Sequence, residues 1–504
     1  MKIFNKSLKN LLTLGIVGVT LFGSGCESAL EIDPRQSIDA GIALETRGGI
    51  TAAINSVYAR LRSADNYGRA LIVDADALAD LGVATGNSGR QINQARNQFN
   101  THINNWQNSY YAINEINLIL EAIPNLVETP PVSEDEANSW NGQMKFLRAL
   151  YYFDLVKVYA YMPGAVVDQL NKGGIPVVLE GVISTELALT RLPARETIDA
   201  VYSQIYADLN DAISLLSNSS NPYYASQGAA YGLLSRVALY RKDYATAVSA
   251  ATQALASNSG VILSGNAYVA GWRSESNPES MFEVRFFNAT EGVGGVNESL
   301  QSSTTSIIDL GNPQSQGGWG DFVPNALLLE QIGVSASGSG SDPRAYTVTR
   351  GADIRAELYA VGNGRGSGPK LEVTKYMGKS GVPYVDNAPV LRKSEVLLNR
   401  AEAQTYAGAA LNLDAALADL NTFRAARGLD AFVSSDADEI REEILLQRKI
   451  ELAFEGQRYF DLKRLGRDII KPQGDVAFTD IRILAPLPQR EIDGNPNLVQ
   501  NEGY

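Results

Sequence analysis

Apolar residues recur at helical spacing through most of the chain, which predicts a mostly α protein. The pattern marks helices over 50–62, 104–123 and 140–159, with Pro124 and Pro163 standing just after the second and third. A further helix over 195–216 carries Ile198, Val201, Ile205, Leu209 and Ile213 on one stripe. Two helical pairs follow the same grammar. The first joins 228–241 to 244–257 through a turn at Lys242 and Asp243, with Ala247, Ala251 and Ala254 small enough for close approach. The second spans 394–428, where Tyr406, Ala415, Ala416 and Leu420 hold comparable positions. Each pair has an open apolar face that neighbours must cover, as in tetratricopeptide repeats.

Between the pairs the pattern changes. Residues 258–389 are rich in Gly, Ser and Asn, and only short strands, such as one over 281–286, interrupt the loops. The expected fold is therefore a tetratricopeptide-like helical-pair scaffold with a loop-rich insert containing a few short strands. The parts would be 41–257 (amino-terminal helical), 258–389 (insert) and 390–504 (carboxyl-terminal helical). A loop-rich insert on a rigid scaffold is a common home for a binding site; a linker of that length with embedded aromatics is not.

The first residues are not part of that scaffold. Lys2, Lys6 and Lys9 precede an apolar run over 11–22, then Gly23, Ser24, Gly25 and Cys26. The run is too short to span a bilayer, which takes about 20 residues, but it suits a secretory signal. Residues 1–25 are expected to be a removable leader, Cys26 a lipidated first residue and 26–40 a tether to the membrane. Gly23 departs from the Leu usual at that position of a lipoprotein signal, and an ordinary secretory signal with an incidental cysteine is the alternative.

Composition narrows the chemistry. Cys26 and His102 are the only cysteine and histidine, so a Cys/His zinc site lacks its ligands and no disulfide can form within the chain. No cofactor is implied, and no EF-hand run is present. The formal net charge is -13, and without the three leader lysines 40 bases face 56 acids. That surface repels phosphate backbones, so nucleic acid is not an expected partner.

Several motifs carry a resemblance. Residues 447–466 read QRKIELAFEGQRYFDLKRLG, and 487–504 read LPQREIDGNPNLVQNEGY. FLRALYYFDLVKVY at 146–159 precedes GGIPVVLEG at 173–181, with GWGDFVP at 318–324 and DPR at 342–344. Together these are similar to the SusD-like (RagB/SusD) family. The resemblance implies a lipoprotein on the outer face of the outer membrane of Bacteroidetes, lying over a SusC-like TonB-dependent transporter. It implies capture of oligosaccharide, in some members peptide, without cleavage. Glu27, Glu31 and Asp33 after the cysteine are consistent with surface export. Within 447–466, Glu451 and Glu455 stand four apart on one face of the expected helix, with Arg448 within a turn. Acid–base catalysis is one use of such carboxylates, but the segment mixes acids with Arg458, Lys463 and Arg464, as a charge-paired core helix does.

Sugar rings offer apolar faces that stack on exposed aromatics, with polar neighbours fixing the hydroxyls. Trp272 and Trp319 stand in polar, glycine-rich contexts of the insert and are the expected platforms, with Arg273 and Asp321 beside them as hydrogen-bond partners. Asn66 and Tyr67, after Asp65 at a helix end, and the polar run 86–90 would form the opposite wall. Trp106 falls on a packing helix, Trp140 starts one, and His102 has no evident partner. A helical carbohydrate-active enzyme and a pure docking scaffold remain the alternatives to a nutrient-binding protein.

Overall fold

The computed structural model describes residues 44–126, 130–287, 298–315 and 317–504. The expected leader 1–25, Cys26 and the tether 26–40 lie outside the described residues. Ten longer helices form the frame: α1 (Arg47–Arg60), α2 (Trp106–Ala122), α3 (Glu134–Tyr159), α4 (Ile198–Leu215), α5 (Gln227–Arg241), α6 (Tyr244–Ala256), α7 (Lys393–Ala403), α8 (Leu413–Ala426), α9 (Ala437–Glu451) and α10 (Arg458–Leu465). Their starts are set locally. Thr46, Ser133, Thr197, Ser226, Asp243, Asn412 and Asp436 each accept a hydrogen bond from a first-turn backbone N–H, satisfying donors that a helix cannot use internally.

The helices stack in chain order, α1 on α2, α2 on α3, and so on to α6; α6 then packs on α7, and α7 on α8 and α9. The stack thus continues across the insert. The central α3 is buried almost throughout its second half, and Arg148 on it clamps both neighbours. Its guanidinium donates to Asp208 of α4 at 2.7 and 2.8 Å and to Asn117 of α2 at 2.9 Å.

The short strands pair two by two, all antiparallel: β1 (Gly82–Ala84) with β3 (Phe322–Pro324), β2 (Ser280–Val284) with β8 (Ala388–Arg392), β4 (Val334–Gly338) with β5 (Tyr346–Arg350), and β6 (Tyr359–Gly362) with β7 (Lys370–Val373). Two of these pairings sew the insert to the rest. β1 belongs to the amino-terminal part, and β8 runs across the sequence boundary at 389 into α7.

The carboxyl-terminal motif is not one helix. α9 ends at Glu451, a tight turn follows with Phe454 at φ 64° and Gly456 at φ 78°, and α10 begins at Arg458. Gly456 is required there, because a Cβ would lie 1.9 Å from the Leu71 carbonyl oxygen. Glu451 and Glu455 therefore do not share a helical face. They converge instead on Arg392 at the end of β8, at 2.7 Å each. Arg427 also reaches Glu451 (2.9 Å), and both arginines reach Glu279 (2.5 and 3.0 Å), all with side chains at most 1% exposed.

Burial alone raises the Glu451 carboxyl, but Arg427 and Arg392 beside it overcome that and hold it well below the usual range. Because the folded value lies below the unfolded one, the stability it contributes is present above about pH 4.3 and lost as pH falls toward the folded value. Glu451→Gln, which strands two buried guanidiniums, is expected to cost about 3–5 kcal/mol at neutral pH. It should also flatten the acid limb of the stability profile, measured as thermal melts from about pH 7 to about pH 3. Parallel acid limbs for the two proteins would assign the acid sensitivity to other carboxylates.

Candidate ligand-binding site

Pairing of β1 with β3 sets the 85–90 turn against the loop that carries Trp319. The Thr85 N–H donates to the Asp321 carbonyl (2.8 Å), and Thr85 Oγ1 donates to the Gly320 carbonyl (2.8 Å). Asn87 Nδ2 donates to the Trp319 carbonyl at 2.7 Å. From beneath, the N–H groups of Trp319 and Gly320 both donate to the Ser302 carbonyl at 2.9 Å. Gly318 passes so close to this layer that a Cβ would meet the Thr305 carbonyl oxygen at 2.0 Å.

A buried carboxylate supports the layer. Glu372 of β7 is fully buried and accepts from the Ser306 N–H (2.6 Å), Ser306 Oγ (2.8 Å) and Thr305 Oγ1 (2.8 Å). Burial raises its carboxyl even so, against the opposing pull of those donors. Arg365 then lies over the Trp319 indole, 3.8 Å from the ring centroid, with Nη1 donating to the Gly318 carbonyl at 2.8 Å. Tyr384 stands nearby with its backbone in the left-handed region (φ 65°), held by a bond from its N–H to Gln301 Oε1 at 2.7 Å. Burial raises its phenol, and Arg365 is close enough to oppose the rise.

The six expected ligand residues separate sharply. Trp319 is half-buried, with part of its surface open to solvent. Trp272, expected as a second platform, is only 6% exposed. It meets Tyr376 edge-on at 5.9 Å and lies beneath Lys375 and Arg392, at 4.8 and 5.2 Å from the ring centroid. No sugar face can reach it. Arg273 beside it donates to the Lys375 carbonyl (3.0 Å), and burial pushes its guanidinium down to about 10. Tyr67 is buried, donating its hydroxyl to Asp154 at 2.7 Å, and Asn66 is buried beside it, donating to the Arg60 carbonyl at 3.3 Å.

Asp321 is also fully buried. Its oxygens accept from the Ser88 N–H (2.9 Å) and from Arg90 Nη2 (2.8 Å), so it positions Arg90 rather than meeting a ligand. Arg90 and Arg69 both approach Glu298. Trp106 and Trp140 are core residues, 4% and 7% exposed. His102 is paired with the Arg482 carbonyl at 2.6 Å, and burial lowers its pKa to about 4.

Residues that sequence patterning passes over line a second candidate region. A groove of about 250 Å³ is lined by Tyr58, Tyr223, Tyr224, Phe287, Arg62 and Arg285, among others. Tyr224 and Phe287 are 46% and 57% exposed. One loop lies between this groove and the Trp319 loop: Lys379 and Ser380 bond Glu275, the ion-pair partner of Arg285, and the Tyr384 N–H bonds Gln301, the neighbour of Ser302. Among the described residues, no three His, Cys, Asp or Glu side chains converge as a metal site, and no helix is long and apolar enough to cross a membrane.

Comparison with known proteins decides the family. Residues 39–239 match a SusD-like family model described as starch-binding, associating with outer membrane, and residues 373–504 match the model of the SusD family. The chain belongs to the SusD-like family. A SusD-like protein of Formosa agariphila is 24% identical, with 98% of this chain and 97% of the relative aligned. A second from the same organism is 26% identical over 95% and 97%. The crystal structure of a SusD superfamily protein from Bacteroides thetaiotaomicron superposes with a TM-score of 0.75 at 25% identity, covering 90% of this chain and 98% of that one. A laminarin-binding SusD-like protein shares the fold, with a TM-score of 0.67 at 22% identity over 91% and 100%. The helical frame of this SusD-like protein is thus the family's.

The two tryptophans of the insert should respond oppositely to truncation. Trp272→Ala is expected to cost about 3–5 kcal/mol of stability, whereas Trp319→Ala should cost less than about 1 kcal/mol. Thermal melts of both variants check this, and equal losses would show that the Trp319 loop is as much a core element as Trp272.

Proposed function

We propose that this SusD-like protein is a cell-surface lipoprotein that captures oligosaccharide and passes it, uncleaved, to a SusC-like TonB-dependent transporter. The observation that carries the proposal is Trp319: a partly open indole on a loop fixed from three sides, by the 85–90 turn, by Ser302 and by Arg365. An aromatic ring held rigid before binding loses little entropy on contact, which is what a stacking platform for a sugar needs. Asn87 beside it carries a hydrogen-bonding amide. The starch-binding, outer-membrane description of the matched family model supports the same reading. Anchoring would run through acyl chains on Cys26, which bind a membrane at about 0.8 kcal/mol per buried CH₂. The complex with the transporter would bury more than about 1,000 Å² in total.

Calorimetric titration of a glycan panel tests the capture. Trp319→Ala should weaken binding about thirtyfold, equivalent to about 2 kcal/mol, and the glycan should be recovered intact. Unchanged affinity would move the platform elsewhere, and binding of peptides alone would replace sugar as the cargo. Membrane fractionation tests the anchor. Cys26→Ala is expected in the soluble fraction, and its retention in salt-washed membranes would exclude lipidation as the attachment.

A further inference from the structure

We infer that the glycan taken up by this protein is anionic, bearing carboxylate or sulfate half-ester groups on its sugar rings; the inference rests on the glycan-capture reading above. The observation behind it is that the partly open aromatics of the Trp319 loop and of the tyrosine-lined groove are accompanied by guanidinium groups. Arg365 lies over Trp319, 3.8 Å from the ring centroid. In the groove, Arg285 lies between Tyr223 (4.6 Å) and Phe287 (4.5 Å), and Arg62 approaches Phe287 from a second direction at 5.5 Å. A neutral sugar needs the aromatic faces themselves, and here guanidiniums already occupy part of them.

Arg365 carries the charge argument furthest. Among the described residues it forms no ion pair, and its side chain's only hydrogen bonds run from Nη1 to the carbonyls of Gly318 and Gly317, at 2.8 and 3.3 Å. Nε and Nη2 are left for a ligand. An arginine stacked on an aromatic keeps its in-plane donors, and these match the paired oxygens of a carboxylate or sulfate. Arg285 is only weakly compensated. Its ion pair with Glu275 is 3.4 Å long, and that carboxylate is also engaged by Lys379 and Ser380 at 3.2 Å each. Glu283, the acid lining the groove, is buried and accepts from Asn387 Nδ2 at 2.8 Å.

The setting sharpens the contrast. The chain has a formal net charge of -13, so carboxylates outnumber the bases that could pair with them. A cation left without one, fixed beside the candidate platform, runs against the field of the whole molecule. That local reversal would favour an acidic sugar where the rest of the surface repels it.

The test is calorimetric titration of the mature protein with three oligosaccharides of equal length: unsubstituted laminari-oligosaccharide, its sulfated derivative, and oligogalacturonate. Each is run at low and at moderate salt. At least one anionic ligand is expected to bind about tenfold or more tighter than the neutral one, with an affinity that falls as salt rises. Arg365→Met should weaken that ligand at least about fivefold more than the neutral one, with Arg365→Lys intermediate. Arg285→Met, in the groove, provides a second variant should the first fail to fold. Comparison of the two anionic arms separates sulfate from carboxylate. A neutral ligand bound as tightly as both anionic ones, or equal losses for all three in Arg365→Met, would overturn the inference and leave glycan capture standing. Failure of all three to bind would overturn both.

Discussion

The fold depends on a cluster of charges held out of water. Arg392, Arg427, Glu279, Glu451 and Glu455 meet with side chains at most 4% exposed, joined by ion pairs of 2.5 to 3.0 Å. Lys375 joins them through Glu455 at 2.6 Å. Each charge would be costly to bury alone; together their attraction and hydrogen bonds offset the desolvation. The members come from distant points of the chain: the entry to β2, the end of β8, the end of α8, the end of α9 and the turn beyond it. A cluster satisfied in only one arrangement selects one docking of insert on scaffold. Hydrophobic packing, which is less directional, specifies that poorly.

The candidate site is connected to this cluster through the backbone. Lys375 and Glu372 lie three residues apart on either side of the end of β7. The first reaches the cluster and the second supports the loop under Trp319 by way of Ser306 and Thr305. On the other side, Gly456 presses against Leu71, and its N–H donates to Asp76 at 3.0 Å, which places the segment leading to β1. β1 pairs with β3 and so brings the 85–90 turn to Trp319. The platform is therefore built on long-range contacts although it lies on a loop, resting on the short helix that carries Ser302 and on Glu372 of β7.

The same network occupies the carboxylates of the motif at 447–466. Glu451 and Glu455 are saturated with arginine and lysine partners, and the depressed Glu451 carboxyl cannot shuttle protons near neutral pH. Asp461 is held low by Arg448 and Arg464 against the opposing effect of burial. These groups hold the two helices of the motif at a fixed angle.

The sequence by itself determined most of the helices, their pairing and the family, while their stacking order and the break between α9 and α10 came from the tertiary structure. The former rest on local signals: the 3.6-residue period, prolines such as Pro124 and Pro163 after helix ends, and small residues such as Ala247 and Ala251 where helices approach. The interruption of the scaffold by a loop-rich stretch was legible for the same reason. The ligand face was not. Trp272 and Trp319 sit in nearly identical company of glycine, serine and polar residues, and nothing local distinguishes them. Lys375, Tyr376 and Arg392, each more than a hundred residues beyond Trp272, close over it, while Trp319 stays half-buried. Tyr67 and Asn66 follow Trp272 inward because Asp154 and the end of α1 lie within hydrogen-bonding reach. Periodicity reports which side of an element is apolar; only the tertiary structure decides which loop is covered by a distant one, and the site depends on that decision.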